Sequence, residues 1–336
     1  MGALGGETVI LDEYASLLAP LGIEQVSRCD VLQTLWGGYG ELVRLSVRGA
    51  HGPSVIVKHI RLPKPTCHPR GWNTDRAHQR KLSSYQVECR WYQDYAGQCL
   101  SHTPVPRPLQ IEWQDQEMLL VIEDLRTLGY TKVSQQATPT QIQSVLRWLA
   151  WFHASHIGSP ADGLWDNGTY WHLATRPDEL AALDDSRLKR AAVKLDRLLS
   201  EAPYQTLVHG DAKLANFCFR ADDRGAAAVD FQYVGRGCAM KDVALFISSA
   251  VEPAQCAELE SALLDRYFRY LTQALQHCRP ELSAHQVERA WRPLFALAWA
   301  DFQRFIKGWS PGHWKINPYT EALTERALDV VEAHRG

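Results

Sequence analysis

The 336-residue sequence predicts an α+β chain in two lobes, a small β-rich lobe over residues 1–123 and a larger helical lobe over 124–336. Three observations predict it. The first third consists of short runs rich in β-branched residues and broken by Gly and Pro. Beyond Asp124 apolar residues recur at helical spacing instead, and a group of short β runs interrupts the helical part between Thr206 and Phe231.

The elements follow in chain order. A first strand is expected over 28–35, closed by the turn Trp36-Gly37-Gly38-Tyr39-Gly40. A second, over 41–47, carries Leu42, Val43, Leu45 and Val47, and a third over 54–60 carries the β-branched Val55, Ile56, Val57 and Ile60. Runs of this length with Gly and Pro between them suit an antiparallel meander. The polar, basic stretch 61–84 is broken by Pro63, Pro65, Pro69 and Gly71 and reads as an insertion. A helix over 84–95 and a strand pair over 109–113 and 118–122, turning at Gln114-Asp115-Gln116, complete the lobe.

In the helical lobe, Thr138-Pro139-Thr140-Gln141 fits a capping box, with Thr138 as N-cap, Pro139 at N1 and Gln141 at N3. Ile142, Val145, Leu146, Leu149 and Phe152 then form a stripe for burial. Further helices are expected over 184–199, 242–249, 253–276 and 284–307. The β group comprises 206–208, 217–219 and 226–231, with a hairpin turn at 222–225.

Composition narrows the function classes. Hydrophobic residues make up 46% and charged residues 22%, which excludes a disordered chain. Lys plus Arg number 36 against 38 Asp plus Glu, a net charge of −2, so neither nucleic acid nor an anionic membrane is expected as a partner. No apolar run approaches the ~20 residues of a membrane span. The start, Met1 to Glu7, lacks the basic region of a secretory signal, and Gly6 stands where a myristoylation signal needs Ser or Thr. Eight scattered cysteines without a C-x-x-C pair read as reduced thiols in a cytoplasmic protein, with neither a disulfide framework nor a zinc site. His153, His156, His172 and His313 show no metal-ligand spacing.

The sharpest chemical signal is His209-Gly210-Asp211-Ala212-Lys213-Leu214-Ala215-Asn216, followed by Val229-Asp230-Phe231. Moving a γ-phosphoryl group needs a carboxylate near the acceptor hydroxyl and hard oxygen ligands for the magnesium that neutralises the phosphates. Asp211, Asn216 and Asp230 are residues of the right kind, and Lys213 is a point charge suited to a γ-phosphate oxygen. An Asp- and Asn-rich surface turn is the ordinary alternative for the octapeptide alone. Its coupling to Asp230 downstream favours the chemical reading.

This H-G-D-x-x-x-x-N loop with a downstream apolar strand ending in Asp resembles the aminoglycoside phosphotransferase and choline-kinase group, itself similar in fold to the protein kinases. The ending Val229-Asp230-Phe231-Gln232 and the segment Ser84-Tyr85-Gln86-Val87-Glu88 look closest to its ecdysteroid-kinase-like branch. The resemblance implies a protein kinase-like two-lobed fold. It implies Asp211 as catalytic base, Asn216 and Asp230 as magnesium ligands, and His209 as scaffold of the loop. Val55-Ile56-Val57-Lys58 resembles the V-A-I-K element, which assigns Lys58 to the α/β-phosphates and Glu88 to Lys58 as partner. A solvent-facing lysine on an edge strand is the alternative for Lys58. Gly37, Gly38 and Gly40 would cover the nucleotide, although they lack the G-x-G-x-x-G spacing. The Glu123 carbonyl and Leu125 amide would receive adenine, and Asp242 would cap its helix and brace the metal loop. The stretch from Arg70 to Lys81 is either a contact for phosphates or substrate or a solvated charge run.

The expected activity is thus an ATP- and magnesium-dependent phosphotransferase acting on a hydroxyl of a small molecule, such as an amino alcohol, aminoglycoside, sterol or sugar. A nucleotide-binding pseudokinase or scaffold without turnover is the alternative. A protein acceptor is disfavoured, because Asp230-Phe231-Gln232 runs quickly into Asp242-Val243-Ala244 with no A-P-E activation segment between. A Rossmann dehydrogenase is excluded by the missing strand-to-helix G-x-G-x-x-G. The acceptor side rests on tryptophans (Trp165, Trp171, Trp299, Trp309, Trp314) with Asp301 and Arg304 nearby, read either as a cage for a quaternary amine or as core.

Overall fold

The computed structural model describes residues 3–35, 38–62, 74–99, 101–114 and 117–333. Trp36, Gly37, the proline-rich start of the insertion at 63–73 and the turn residues Asp115 and Gln116 lie outside the described residues. The chain forms two compact units. One takes Met1–Lys81, Tyr92–Gln98 and Val105–Thr131, the other Leu82–Trp91, Cys99–Pro104 and Lys132–Gly336. The main division thus falls at Thr131, a few residues beyond the expected 123, and the second unit also takes two short segments from the N-terminal part.

The first unit opens with a helix the sequence did not announce, α1 (Ala3–Leu18), followed by β1 (Ile23–Thr34), β2 (Gly40–Gly49), β3 (Ser54–Arg61), β4 (Pro108–Gln114) and β5 (Glu117–Glu123). The strands pair in the order β1-β2-β3-β5-β4, antiparallel throughout, so the expected meander is present. Val43, Leu45, Val55, Val57 and Val121 are fully buried on this sheet against Tyr14 and Leu18 of α1. Burying each aliphatic side chain of this kind contributes about 1.5–3 kcal/mol. Gly40 has a steric reason to be glycine: at φ +149° a Cβ there would sit 2.0 Å from the His59 carbonyl oxygen on β3.

Helix α2 (Thr74–Asp94) starts ten residues before the expected 84. All the breakers of the insertion precede Thr74, and from Asp75 onward no Gly or Pro opposes helix.

In the second unit come α3 (Pro139–His156), α4 (Pro177–Ala182), α5 (Ser186–Ser200), β6 (Thr206–Val208), β7 (Phe217–Phe219), β8 (Ala226–Ala228), β9 (Gly235–Gly237), α6 (Met240–Ala250), α7 (Pro253–Cys278), α8 (Ala284–Trp291), α9 (Leu294–Trp309) and α10 (Pro318–Ala333). The capping box of α3 closes from both sides. Gln141 N–H donates to Thr138 Oγ1 at 3.2 Å, and Thr138 N–H donates to Gln141 Oε1 at 3.1 Å. The single helix expected over 284–307 is two, α8 and α9, parted at Arg292-Pro293 because proline cannot donate to the preceding turn. β8 stops at Ala228, short of the expected 231, and β6 pairs with β9, a strand hidden in Gly235-Arg236-Gly237.

Trp171 and Trp299 are buried in this unit's core, and so are Asp301 and Arg304. Arg304 Nη2 donates to Asp301 Oδ1 at 2.9 Å and to the Trp171 carbonyl at 2.8 Å, while Trp171 Nε1 donates to Asp301 Oδ2 at 3.1 Å. These four residues therefore follow the core reading, and Asp301 is committed within the core. The seven described cysteines are free thiols. Among the described residues no helix is long and apolar enough to cross a membrane.

Candidate active site

β6 delivers the chain to His209, and the loop that follows is held from behind. Asp242 lies in the first turn of α6 but does not cap it; Ala239 occupies the N-cap position. Its carboxylate instead accepts the backbone N–H of His209 at 2.6 Å and of Gly210 at 3.0 Å. That corrects the expected N-cap role while keeping Asp242 as a brace. His153 of α3 supports the same carboxylate through Nε2 at 3.0 Å, and its Nδ1 pairs with Tyr267 Oη at 2.8 Å. Both groups are fully buried, so each needs the other.

Gly210 explains the second letter of the motif. Its φ is +80°, and a Cβ would stand 2.0 Å from the Tyr233 carbonyl oxygen. His209 then locks the turn: Asp211 N–H donates to its Nδ1 at 3.3 Å, which leaves Nε2 to donate to the Val229 carbonyl at 2.9 Å. One imidazole in one tautomer thus ties the loop to the chain entering Asp230.

Asp211 is 4% exposed. Its Oδ2 accepts Lys213 Nζ at 2.9 Å and Asn216 Nδ2 at 3.0 Å. Oδ1 is buried and makes no hydrogen bond. Burial raises the Asp211 pKa, and Asp230 raises it further by repulsion, with Lys213 opposing both. Asn216 uses only Nδ2, toward Asp211 Oδ2 and, at 2.8 Å, the Asp211 carbonyl, so its amide oxygen is the donor of the type magnesium takes. Asp230 adopts φ +66°, and its Oδ1 accepts Gln232 Nε2 at 2.7 Å. Phe231 beside it stacks on Trp91 of α2 with centroids 3.5 Å apart and planes 4° apart. Ser84 of the same helix donates to Gln232 at 3.2 Å, which fixes the segment on both sides. The Asn216 amide oxygen and the Asp230 carboxylate are hard oxygen donors of the kind a divalent cation takes. Among the described residues no group of three or more His, Cys, Asp or Glu is placed to hold a metal ion.

The remaining sequence-predicted residues distribute between the units. Glu88 belongs to the second and is 2% exposed. Lys58, Gly38, Gly40, Glu123 and Leu125 belong to the first. Lys58 sits on β3, the central strand, opposite Leu42 on one side and Leu120 on the other, and is 5% exposed. The solvent-facing edge lysine is therefore ruled out. Gly38 has φ +74° in the turn before β2; its neighbour Gly37 lies outside the described residues. Glu123 ends β5, its N–H bonded to the Arg107 carbonyl at 2.9 Å, and Leu125 opens a 3₁₀ turn.

The structure also presents residues that sequence reasoning passed over. A cavity of about 430 Å³ beside the loop is lined by Lys213, Leu214 and Ala215 together with Tyr170, Phe302, Phe305, Trp309 and Lys315. Tyr170 and Lys315 carry no motif. Tyr170 N–H donates to the Gly210 carbonyl at 3.3 Å, and burial with the nearby Asp211 carboxylate pushes its hydroxyl pKa well up. Of the five tryptophans read as cage or core, Trp309 and Trp314 line this cavity.

A five-stranded antiparallel sheet with a buried lysine on its central strand, and a helical unit holding H-G-D-x-x-x-x-N ahead of an Asp, define a protein kinase-like fold. Solved structures agree at the level of fold. The microcompartment-associated aminopropanol kinase is similar at 16% identity with a TM-score of 0.54, covering 97% of each chain. Choline kinase from Cryptosporidium parvum Iowa II is similar at 11% identity and TM-score 0.52, covering 96% of this chain and 94% of its own. Plasmodium vivax ethanolamine kinase is similar at 14% identity and TM-score 0.50, covering 97% and 89%. No curated protein matches. Residues 34–281 match the model of the phosphotransferase enzyme family, well over half of the sequence, and the chain belongs to that family.

Proposed function

We propose that this phosphotransferase moves the γ-phosphoryl group of ATP to a hydroxyl of a small molecule, with Asp211 as the base. The observation that carries the proposal is the divided state of the Asp211 carboxylate. Oδ2 is held by Lys213 and Asn216, while the buried Oδ1 is left to accept the proton of an incoming hydroxyl. Its raised pKa makes it a better proton acceptor than an exposed aspartate. Lys213 is already charged beside Asp211 and suits a γ-phosphate oxygen. Asn216 and Asp230 are the proposed magnesium ligands, and magnesium bound there would neutralise phosphate charge. Lys58 is assigned to the α/β-phosphates, with Glu88 as its partner, and Gly37, Gly38 and Gly40 to the loop over the nucleotide. The Glu123 carbonyl and Leu125 amide are assigned to adenine. The structures similar in fold include kinases named for aminopropanol, choline and ethanolamine, which supports a small alcohol as acceptor.

Asp211→Asn tests the reading against a scaffold without turnover. The amide keeps shape and the Lys213 contact but cannot take a proton. ATP consumption with pooled acceptors should fall about 10²–10⁴-fold while magnesium–ATP affinity stays unchanged. Equal consumption by wild type and variant would sink the assignment.

A further inference from the structure

We propose that the acceptor is an alcohol with a flat, apolar body and an anionic group, seated in the aromatic cavity beside Asp211 with Lys315 as its counter-charge. The inference rests on the kinase reading above and names the substrate class for the same site.

The argument starts from charge. Among the described residues lining the cavity there are two lysines, Lys213 and Lys315, and no carboxylate. Asp301, the acidic residue that could have served an amine, is committed to Arg304 and Trp171 in the core. The adjoining cavity of about 610 Å³ adds Glu252 and Arg266, one of each sign, and leaves the balance unchanged. The nearby negative charges are Asp211, which Lys213 holds at 2.9 Å, and Asp230, which the proposed function assigns to magnesium. A cationic acceptor would thus meet two ammonium groups without a carboxylate of its own to pair with, which is costly in a partly desolvated pocket.

The aromatic faces point the same way. Lys315 Nζ stands 5.3 Å from the Phe302 ring centre and 5.6 Å from that of Trp314, while the Arg176 guanidinium covers Phe305 at 4.9 Å. Cations of the protein already occupy faces that a quaternary amine would need. What remains accessible is the exposed part of the two indoles, Trp309 and Trp314. Phe305 and Trp309 stack at 5.9 Å and 9°, and Trp309 and Trp314 are 60% and 57% exposed. Exposed indoles at a cavity mouth suit a flat apolar body.

Lys315 is also a built part of the fold. Its N–H donates to His313 Nδ1 at 3.1 Å, and its carbonyl accepts Thr320 Oγ1 at 2.7 Å. The side chain is buried. Burial lowers its pKa to about 8 against the pull of Asp211, so the ammonium persists at neutral pH in a setting that favours gaining an anion.

The test uses two benzyl alcohols that differ in one para substituent, 4-(hydroxymethyl)benzoate and 4-(aminomethyl)benzyl alcohol. Binding is read by tryptophan fluorescence and calorimetry, and turnover by ATP consumption. The carboxylate should bind about tenfold tighter or better. Lys315→Met should abolish that preference and Lys315→Arg should retain it, with magnesium–ATP affinity unchanged in both. Equal or tighter binding of the amine, no binding of the carboxylate, or an unchanged preference in Lys315→Met overturns the inference. Magnesium–ATP titration separates the two levels. If the nucleotide binds but amines are preferred, only the acceptor class is wrong; if it does not bind, the kinase reading falls and this inference with it.

Discussion

Asp230 holds a backbone conformation with φ +66° that an aspartate adopts at a cost of about 1–3 kcal/mol. The surroundings over-determine it. Phe231 is clamped on Trp91, Gln232 bonds back to Oδ1, and Val229 is tied to His209 and, through its N–H at 3.0 Å, to the Asn216 carbonyl. Strain kept in this way points to a side chain that must face one direction. Asp230→Asn leaves that backbone possible, since asparagine tolerates left-handed φ, but replaces the anionic oxygen magnesium prefers. The variant should fold as wild type and bind magnesium–ATP about tenfold or more weakly by calorimetry. Undiminished affinity in a folded variant would remove Asp230 from the metal site.

Among the elements, the end of β5 shows how the first unit anchors the segment assigned to adenine. Asp124 caps the 3₁₀ turn by accepting Arg126 N–H at 3.1 Å, and it accepts Arg44 Nε from β2 at 2.7 Å and Ser54 Oγ from β3 at 2.8 Å. Burial pushes its pKa up, but these three donors outweigh it and the net shift is downward. A carboxylate with a depressed folded pKa stabilises the protein above its unfolded value, about 3.9, and loses that contribution as pH falls through the folded value. Asp124→Asn should therefore cost on the order of 3 kcal/mol at pH 7 by urea denaturation. The gap to wild type should narrow as the pH is lowered below about 4. A gap that stays constant down to acid pH would show that Arg44 contributes nothing through charge.

For the whole molecule, the proposed function makes magnesium–ATP a ligand whose binding is linked to folding. Magnesium–ATP binding only to the native state should raise stability by about 2.7 kcal/mol at a hundredfold excess over Kd. Thermal melts with ATP and magnesium should shift upward, and EDTA should remove most of the shift. Lys58→Met, which keeps the stem and deletes the charge, should reduce the shift as well. A full shift in Lys58→Met would return Lys58 to an ordinary strand position.

The sequence by itself determined the order of the fold. Runs such as Ser54-Val55-Ile56-Val57 can only satisfy their side chains on a buried sheet, and the stripe from Ile142 to Phe152 only on a helix face, so local periodicity carried both. The capping box at Thr138 was legible for the same reason: its bonds span three residues. It also marked Asp211, Lys213, Asn216 and Asp230, because a reactive loop keeps its groups close in the chain. Four elements escaped it, namely α1, the short helix α4, the glycine strand β9 and α10, although the buried positions of α10 do recur at helical spacing. Only the tertiary structure could decide which tryptophans are core and which line a cavity. It alone showed that Asp242 and His153 brace the loop, and that Lys315, about a hundred positions from Lys213, lines the same cavity. The physical reason is range: hydrophobic period and turn chemistry act over a few residues, whereas burial, charge balance and cavity walls are set by segments that meet only after the chain has folded.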